Sequence, residues 1–174
     1  MKSMPAQSHE GAVAVRPVTP EDGRLLLEIY AGTRADELAQ IPWSEAQREA
    51  FLGMQLTARD RSYRMYYAGL EDSIIIFNGQ AVGRLLVVRG DEEFRLADIA
   101  LLPDYRRAGI GTVIVKELME EAGRERKPLR LQVEKSNAEA LRLYGRLGFA
   151  TTGENDTHFQ MEHKREEEEM RNAE

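Results

Sequence analysis

The middle of the chain is its most constraining part, because a strand, a glycine-bearing turn, an amphipathic helix and a second strand follow one another without interruption. Residues 93–101 alternate as a strand, with Phe94, Leu96, Asp98 and Ala100 on one face and Ala97, Ile99 and Leu101 on the other. The turn holds Arg106, Arg107, Gly109 and Gly111. The helix after it carries the stripe Ile110, Val113, Ile114, Leu118 and Ala122 and stops at Gly123. Residues 129–133 read as the returning strand. A strand–helix–strand unit of this kind needs a sheet with helices packed on it, which sets the class as α/β.

The flanking segments extend the same architecture. Residues 12–16 read as a strand, and Thr19-Pro20 opens a helix through Leu25, Leu26, Ile29 and Tyr30. An irregular stretch around Ile41-Pro42-Trp43 follows, then a capping box of Ser44 and Gln47 and a helix to about Arg61. That helix has Phe51, Met54, Gln55 and Ala58 at helical spacing. Residues 73–77 and 81–88 make a hairpin around Asn78-Gly79. Ser136 and Glu139 form a second capping box before a helix through Leu141, Tyr144 and Leu147, which stops at Gly148. Residues 149–153 and 159–163 are two last strands. The expected fold is α/β (α+β), with a mixed, mostly antiparallel central sheet flanked by helices. The expected organisation is a loose arm over residues 1–10, one domain over 11–163 and a charged tail over 164–174.

Composition narrows the chemistry. No cysteine is present, so disulfides, thiolate metal sites and an acyl-cysteine intermediate are all excluded. His9, His158 and His163 have no ligand spacing, and no metal is expected. The net charge of −6 argues against a general nucleic-acid binder. No apolar run approaches the roughly 18 residues of a membrane span, and the first ten residues lack a signal-peptide core, so no membrane partner and a cytoplasmic location are expected.

The turn after the central strand suits a phosphate. A helix N-terminus presents unpaired N–H donors and about half a positive charge. Two glycines permit close approach, and Arg106 and Arg107 add cationic donors. The same residues would also serve a tight strand-to-helix connection with two solvated arginines. No Gly-Lys-Ser/Thr follows, which excludes a Walker A loop, and the third glycine of a dinucleotide fingerprint is missing.

Two blocks in order now carry a resemblance. The segment ADIALLPDYRRAGIG, residues 97–111, and the segment VEKSN with LYGRLGF, from Val133 to Phe149, resemble the two cofactor blocks of the GNAT superfamily of acyl-CoA-dependent N-acetyltransferases. The element order from Val13 to His163 is similar to that family's as well. The resemblance implies a GNAT-like fold and acetyl-CoA as acyl donor, with its pyrophosphate held by Arg106, Arg107, Ala108, Gly109, Ile110, Gly111 and Thr112. It implies pantetheine amides paired with Ile99, Ala100 and Leu101 on a strand that splays from the next. It also implies Asn137 on the cofactor and Tyr144 beside the thioester sulfur. Asn137 and Tyr144 lie seven residues apart in the sequence, close to two helical turns or about 10.5 Å along one face. Tyr144 would equally serve as a core residue beside Leu141 and Leu147. Dimers are common in the family, so a homodimer is an expectation.

Acetyl transfer to an amine needs a neutral amine and a protonated leaving thiolate. An α-amine with a pKa near 7.7–8.0 is roughly a fifth to a third neutral at pH 7.4, whereas a lysine amine is only about 0.1% neutral. An α-amine acceptor therefore needs only a weak base. Asp98 is the candidate, acting directly or through water, with a carboxylate satisfied by backbone or arginine as the alternative. Glu93 is a rival on the other face. Backbone N–H groups near Leu101 are candidates for an oxyanion hole. A phenol near pKa 10 is a weaker acid than a thiol near 8.5, so proton transfer from Tyr144 is uphill by about 2 kcal/mol unless the site lowers it.

The acceptor wall is expected over residues 34–43, between the first two helices, with Glu37 and Trp43 as substrate-binding candidates, and over residues 154–158. Arg59, Arg61 and Arg64, like Arg124, Arg126, Lys127 and Arg130, form small basic clusters that read as solvated faces, with an approach of one of them to the CoA 3′-phosphate as the alternative. The expected activity is direct transfer from acetyl-CoA, in a ternary complex, to a primary amine of a small molecule or the α-amine of a peptide. A protein lysine or N-terminal acetyltransferase and an idle acyl-CoA sensor are the alternatives.

Overall fold

The computed structural model describes residues 11–164. The expected arm over residues 1–10 and all but the first residue of the expected tail lie outside the described residues. In chain order the elements are β1 (Val13–Pro17), α1 (Gly23–Ala39), α2 (Glu45–Tyr66), β2 (Leu70–Phe77), β3 (Gln80–Arg89), β4 (Phe94–Leu101), α3 (Ile110–Arg124), β5 (Leu129–Glu134), α4 (Ala138–Arg146), β6 (Ala150–Glu154) and β7 (His158–His163). The strands form one sheet in the order β1-β2-β3-β4-β5-β7-β6. Every neighbouring pair is antiparallel except β4 and β5.

Local chemistry explains most boundaries. Asn78 and Gly79 both take positive φ, 50° and 80°, as a two-residue hairpin turn requires. Ser44 and Gln47 exchange side chain-to-backbone hydrogen bonds at 3.2 and 2.9 Å, starting α2. Thr19-Pro20 opens a single 3-10 turn, Pro20–Asp22, before α1. Its Asp22 is buried and accepts two hydrogen bonds from Arg16 and one from the Thr19 backbone N–H. This holds the Asp22 carboxyl far below the ordinary aspartate range, chiefly through the Arg16 guanidinium.

Several expectations need correction. The helix that was to stop at Gly123 continues to Arg124, and the left-handed residue beyond it is Arg126, with φ 57°. In α3 it is Val115 that is buried; Val113 is exposed because it points away from the sheet. In α2 only Leu52 is buried, while Met54 and Ala58 face solvent. The first helix reaches Ala39, so Arg34, Asp36 and Glu37 are helical and the connection to α2 is short. The Ser136–Glu139 box does not form: α4 starts one residue later, with Asn137 as its cap.

The largest correction concerns β4. Leu86 pairs with Asp98, but its neighbour Val87 pairs with Leu96, so Ala97 is an extra residue, a β-bulge. A bulge shifts the alternation by one. Ile99 and Leu101 therefore join Phe94 and Leu96 on one face, opposite Leu85 and Gly83, while Asp98 and Ala100 join Arg95 on the other.

The first of these faces packs on α3 and α4 in the main core, around Phe94, Leu129, Ile110, Ile114 and Tyr144. Each such large side chain, fully buried, contributes roughly 1.5–3 kcal/mol. A second, smaller cluster joins α1 to α2 through Tyr30, Leu38 and Leu52, with Trp43 and Phe51 against it. On that side Arg84 of β3, only 4% exposed, ties α2 to the sheet through bidentate bonds to Asp60 and to Asp72.

Candidate active site

The sheet forks between β4 and β5. Phe94 pairs with Leu129, Arg95 with Arg130 and Leu96 with Leu131, and no pair follows. Beyond Leu96 the backbone groups of β4 on the β5 side, over Ile99, Ala100 and Leu101, have no strand partner among the described residues. The bulge at Ala97 lies where the pairing ends, and it turns Asp98 toward α2.

At the open end of β4 the chain passes through the 3-10 turn Pro103–Tyr105 into α3. Arg107 and Gly109 take positive φ, 60° and 82°. The backbone N–H groups of Arg107, Ala108, Gly109, Ile110, Gly111 and Thr112 find no acceptor among the described residues; the first helical bond runs from Val113 to the Gly109 carbonyl. A side-chain carbon added at Gly109 or Gly111 would meet no atom within 4 Å, so open space lies over these donors. Such a row at a helix N-terminus is suited to a phosphate or pyrophosphate. Arg106 caps the Leu101 carbonyl with its Nε at 3.2 Å, and Arg107 reaches Glu139 of α4 at 3.4 Å.

Asn137 and Tyr144 stand on α4, on the other side of the fork. Asn137 Oδ1 accepts the Ala140 N–H at 3.0 Å, which leaves its amide N–H₂ as the free donor. Tyr144 is 6% exposed, with its ring 5.4 Å from that of Phe149. Its hydroxyl makes no hydrogen bond to a described residue. Burial, reinforced by the Asp98 charge, pushes its pKa up to about 12. This is opposite to the direction that would help it act as an acid: transfer of its proton to a thiolate near 8.5 is now uphill by about 5 kcal/mol. Tyr144 is thus suited to donating a hydrogen bond.

Asp98 is half-buried and paired. Arg59 of α2 places Nη2 2.5 Å from Asp98 Oδ2, and its guanidinium lies 5.2 Å from the ring centres of both Tyr30 and Tyr63. Burial, with the Asp98 charge second, likewise raises Tyr63 to about 12. Arg59 was expected on a solvated face; the pattern Gln55, Arg59, Tyr63, repeating every four residues along α2, was the available signal for this inward stripe. Glu93 was expected opposite Asp98, but it pairs with Arg95, which shares Asp98's face, and with Arg130.

The two expected substrate-binding residues belong to the α1–α2 layer. Glu37 lies on α1 and pairs with Arg34 at 2.7 Å. Trp43 packs edge-on to Phe51, ring centres 4.8 Å apart, in the small cluster. Among the described residues no group of His, Cys, Asp or Glu is placed to hold a metal ion, and no helix is long and apolar enough to cross a membrane.

Residues 28–149 match the model of the acetyltransferase (GNAT) family. The ribosomal protein bS18-alanine N-acetyltransferases of Salmonella typhimurium and Escherichia coli K12 are each 32% identical over 114 residues, 62% of this chain. The matched stretch spans 64% of the length of those relatives. Among solved structures, the PaiA N-acetyltransferase from Thermoplasma acidophilum in complex with coenzyme A superposes with a TM-score of 0.66 at 18% identity, covering 88% of this chain and 99% of that one. The Escherichia coli ribosomal-protein-S18-alanine N-acetyltransferase gives 0.60 at 20% identity, covering 88% and 94%. These likenesses extend to the mixed, mostly antiparallel sheet flanked by helices.

Proposed function

The chain belongs to the GNAT acetyltransferase family, and we propose that it moves an acetyl group from acetyl-CoA directly to a primary amine, the α-amine of a peptide or small molecule, within a ternary complex. One observation carries this reading. The fork between β4 and β5 has at one end a row of N–H donors with no acceptor among the described residues, and Asp98 of β4, bonded to Arg59, stands just past its last residue pair. Residues 11–163 act as one acetyltransferase domain in this reading. The alanine acetylation named for the curated relatives supports a peptide acceptor, and their ribosomal substrate a cytoplasmic location.

The residues present fit the donor. The N–H groups of residues 107–112 hold its pyrophosphate, with the Arg106 and Arg107 charges beside them. The unpartnered edge of β4 at Ile99, Ala100 and Leu101 takes the pantetheine amides as an added strand would. The free amide N–H₂ of Asn137 supplies a further donor. When bound, acetyl-CoA supplies a thioester carbonyl for the amine to attack and a thiolate to leave.

The chain's own part is modest and electrostatic. Asp98, its charge already shared with Arg59, accepts the amine proton directly or through water, which suffices for an α-amine that is partly neutral in advance. Backbone N–H groups near Leu101 face the charge that develops on the carbonyl oxygen. Tyr144 donates a hydrogen bond that strengthens as the sulfur becomes anionic. Its burial keeps the phenol protonated throughout the working range.

The test is thiol release from acetyl-CoA across a panel of peptides, amino-acid amides and alkylamines. Turnover with α-amine acceptors is expected. Tight donor binding with no turnover on any acceptor would make the protein an acyl-CoA sensor, and no donor binding would overturn the reading altogether.

A further inference from the structure

The acceptor side of the fork carries a cation whose hydrogen-bonding capacity is largely unspent. Arg59 gives one hydrogen bond, to Asp98, and its Nε is buried with no partner among the described residues. Its neighbours are saturated by comparison: Arg84 meets two carboxylates through four bonds, and Arg34 bonds Glu37, Tyr30 and Gln55. Arg59 is also held in place. Two tyrosine rings flank its guanidinium at 5.2 Å, and both it and Asp98 keep about a quarter of their side-chain surface open, 26% and 25%.

We infer that Arg59 donates to a carbonyl oxygen adjacent to the acceptor amine, so that the acceptor is an α-amino carbonyl compound, a peptide N-terminus or an amino-acid amide; this rests on the proposed acetyl transfer. Asp98 and Arg59 form a neighbouring acceptor and donor at the fork. In an α-amino carbonyl compound a single carbon separates the amine nitrogen from the carbonyl group, so one small unit meets both groups at once. A lysine side chain or an alkylamine presents only the amine. A free amino acid presents a carboxylate, and a second anion beside Asp98 competes for the same guanidinium and is repelled by the carboxylate already there. The pair therefore reads a neutral carbonyl next to an amine, and Arg59 sets specificity where Asp98 handles the proton.

The test compares kcat/KM for alaninamide, free alanine and sec-butylamine in the wild type and in Arg59→Gln and Arg59→Lys. Dividing each variant's loss on alaninamide by its loss on sec-butylamine cancels the difference in amine basicity. Arg59→Gln should lose about 10- to 100-fold more on alaninamide than on sec-butylamine, mainly through acceptor KM. Arg59→Lys, which keeps the charge but not the planar fork, should fall between. The KM for acetyl-CoA reports whether each variant is folded. Equal losses on both amines would mark Arg59 as merely structural, and a wild type that prefers free alanine to alaninamide would also overturn the inference. Wild-type turnover of alaninamide and sec-butylamine with equal efficiency would sink this inference alone. Turnover of none of the three would remove the acetyl-transfer reading and this inference with it.

Discussion

Asp98 on β4 accepts a hydrogen bond from Arg59 on α2 at 2.5 Å, so the best-placed carboxylate of the fork works with a cation against it. Removal of this carboxylate should matter most where the amine is least ready. Asp98→Asn should lower kcat by about 10²-fold near pH 7, at the low end of what acid–base groups contribute. The loss should shrink as pH rises through about 8, where an α-amine supplies its own neutral form. Steady-state rates between pH 6.5 and 9.5 check this, and a pH-independent loss would take Asp98 out of the proton path.

Tyr144→Phe should reduce kcat by about 10- to 100-fold, the range of one hydrogen bond to a charged partner, with little change in the KM for acetyl-CoA. With its pKa pushed up to about 12, the phenol stays protonated below about pH 10. The wild-type pH profile should accordingly show no descending limb from Tyr144 in that range. Unchanged turnover in the phenylalanine variant would assign Tyr144 to packing against Phe149.

Gly111→Ala separates folding from donor binding. The added methyl meets nothing within 4 Å and improves helix propensity, so thermal stability should hold or rise slightly, by less than about 1 kcal/mol. Under the proposed donor site the same methyl crowds the bound pyrophosphate, and the KM for acetyl-CoA should rise about tenfold. A parallel fall in stability and donor affinity would contradict this assignment.

Arg84→Met leaves Asp60 and Asp72 facing each other without their shared cation. Breaking a buried pair from one side costs about 3–5 kcal/mol, which the urea midpoint would register. Because Asp60 sits beside Arg59 on α2, acceptor KM should rise in any fraction that remains folded, while donor KM changes less.

The Arg16–Asp22 pair predicts an acid limb to stability. The folded carboxyl is held far below its unfolded value, so its contribution is present above about pH 4 and is lost as pH falls toward the folded value. Asp22→Asn should therefore lower stability at pH 7 and lose less on acidification than the wild type. Urea denaturation at pH 7 and pH 3 compares the two slopes.

Local signals made much of this molecule legible in its sequence. Asn78-Gly79, the Ser44–Gln47 box and the glycine turn before α3 act over a few residues, and each lies where its chemistry puts it. What escaped depends on partners distant in sequence. The register between β3 and β4 decides that Ala97 bulges, and no property of residues 93–101 alone announces this. Arg59 belongs to a basic cluster by composition; the four-residue spacing with Gln55 and Tyr63 hints at its inward stripe, but its partner Asp98 lies 39 residues away in the sequence. Asn137 and Ser136 both suit an N-cap, and one residue of helix phase separates a box at Ser136–Glu139 from a cap that occupies the Asn137 oxygen.

The fork leaves a seam in the sheet. Four strands on one side and three on the other meet through the three residue pairs from Phe94–Leu129 to Leu96–Leu131. The cohesion across it comes instead from α3, whose Ile110, Ile114, Val115 and Leu118 share one core with both sides. Hydrogen-bond ladders are directional and fail abruptly when strands slide, whereas apolar contact is non-directional and yields by small steps. The two halves are thus joined less like planks nailed edge to edge than like leaves of a book held at the spine.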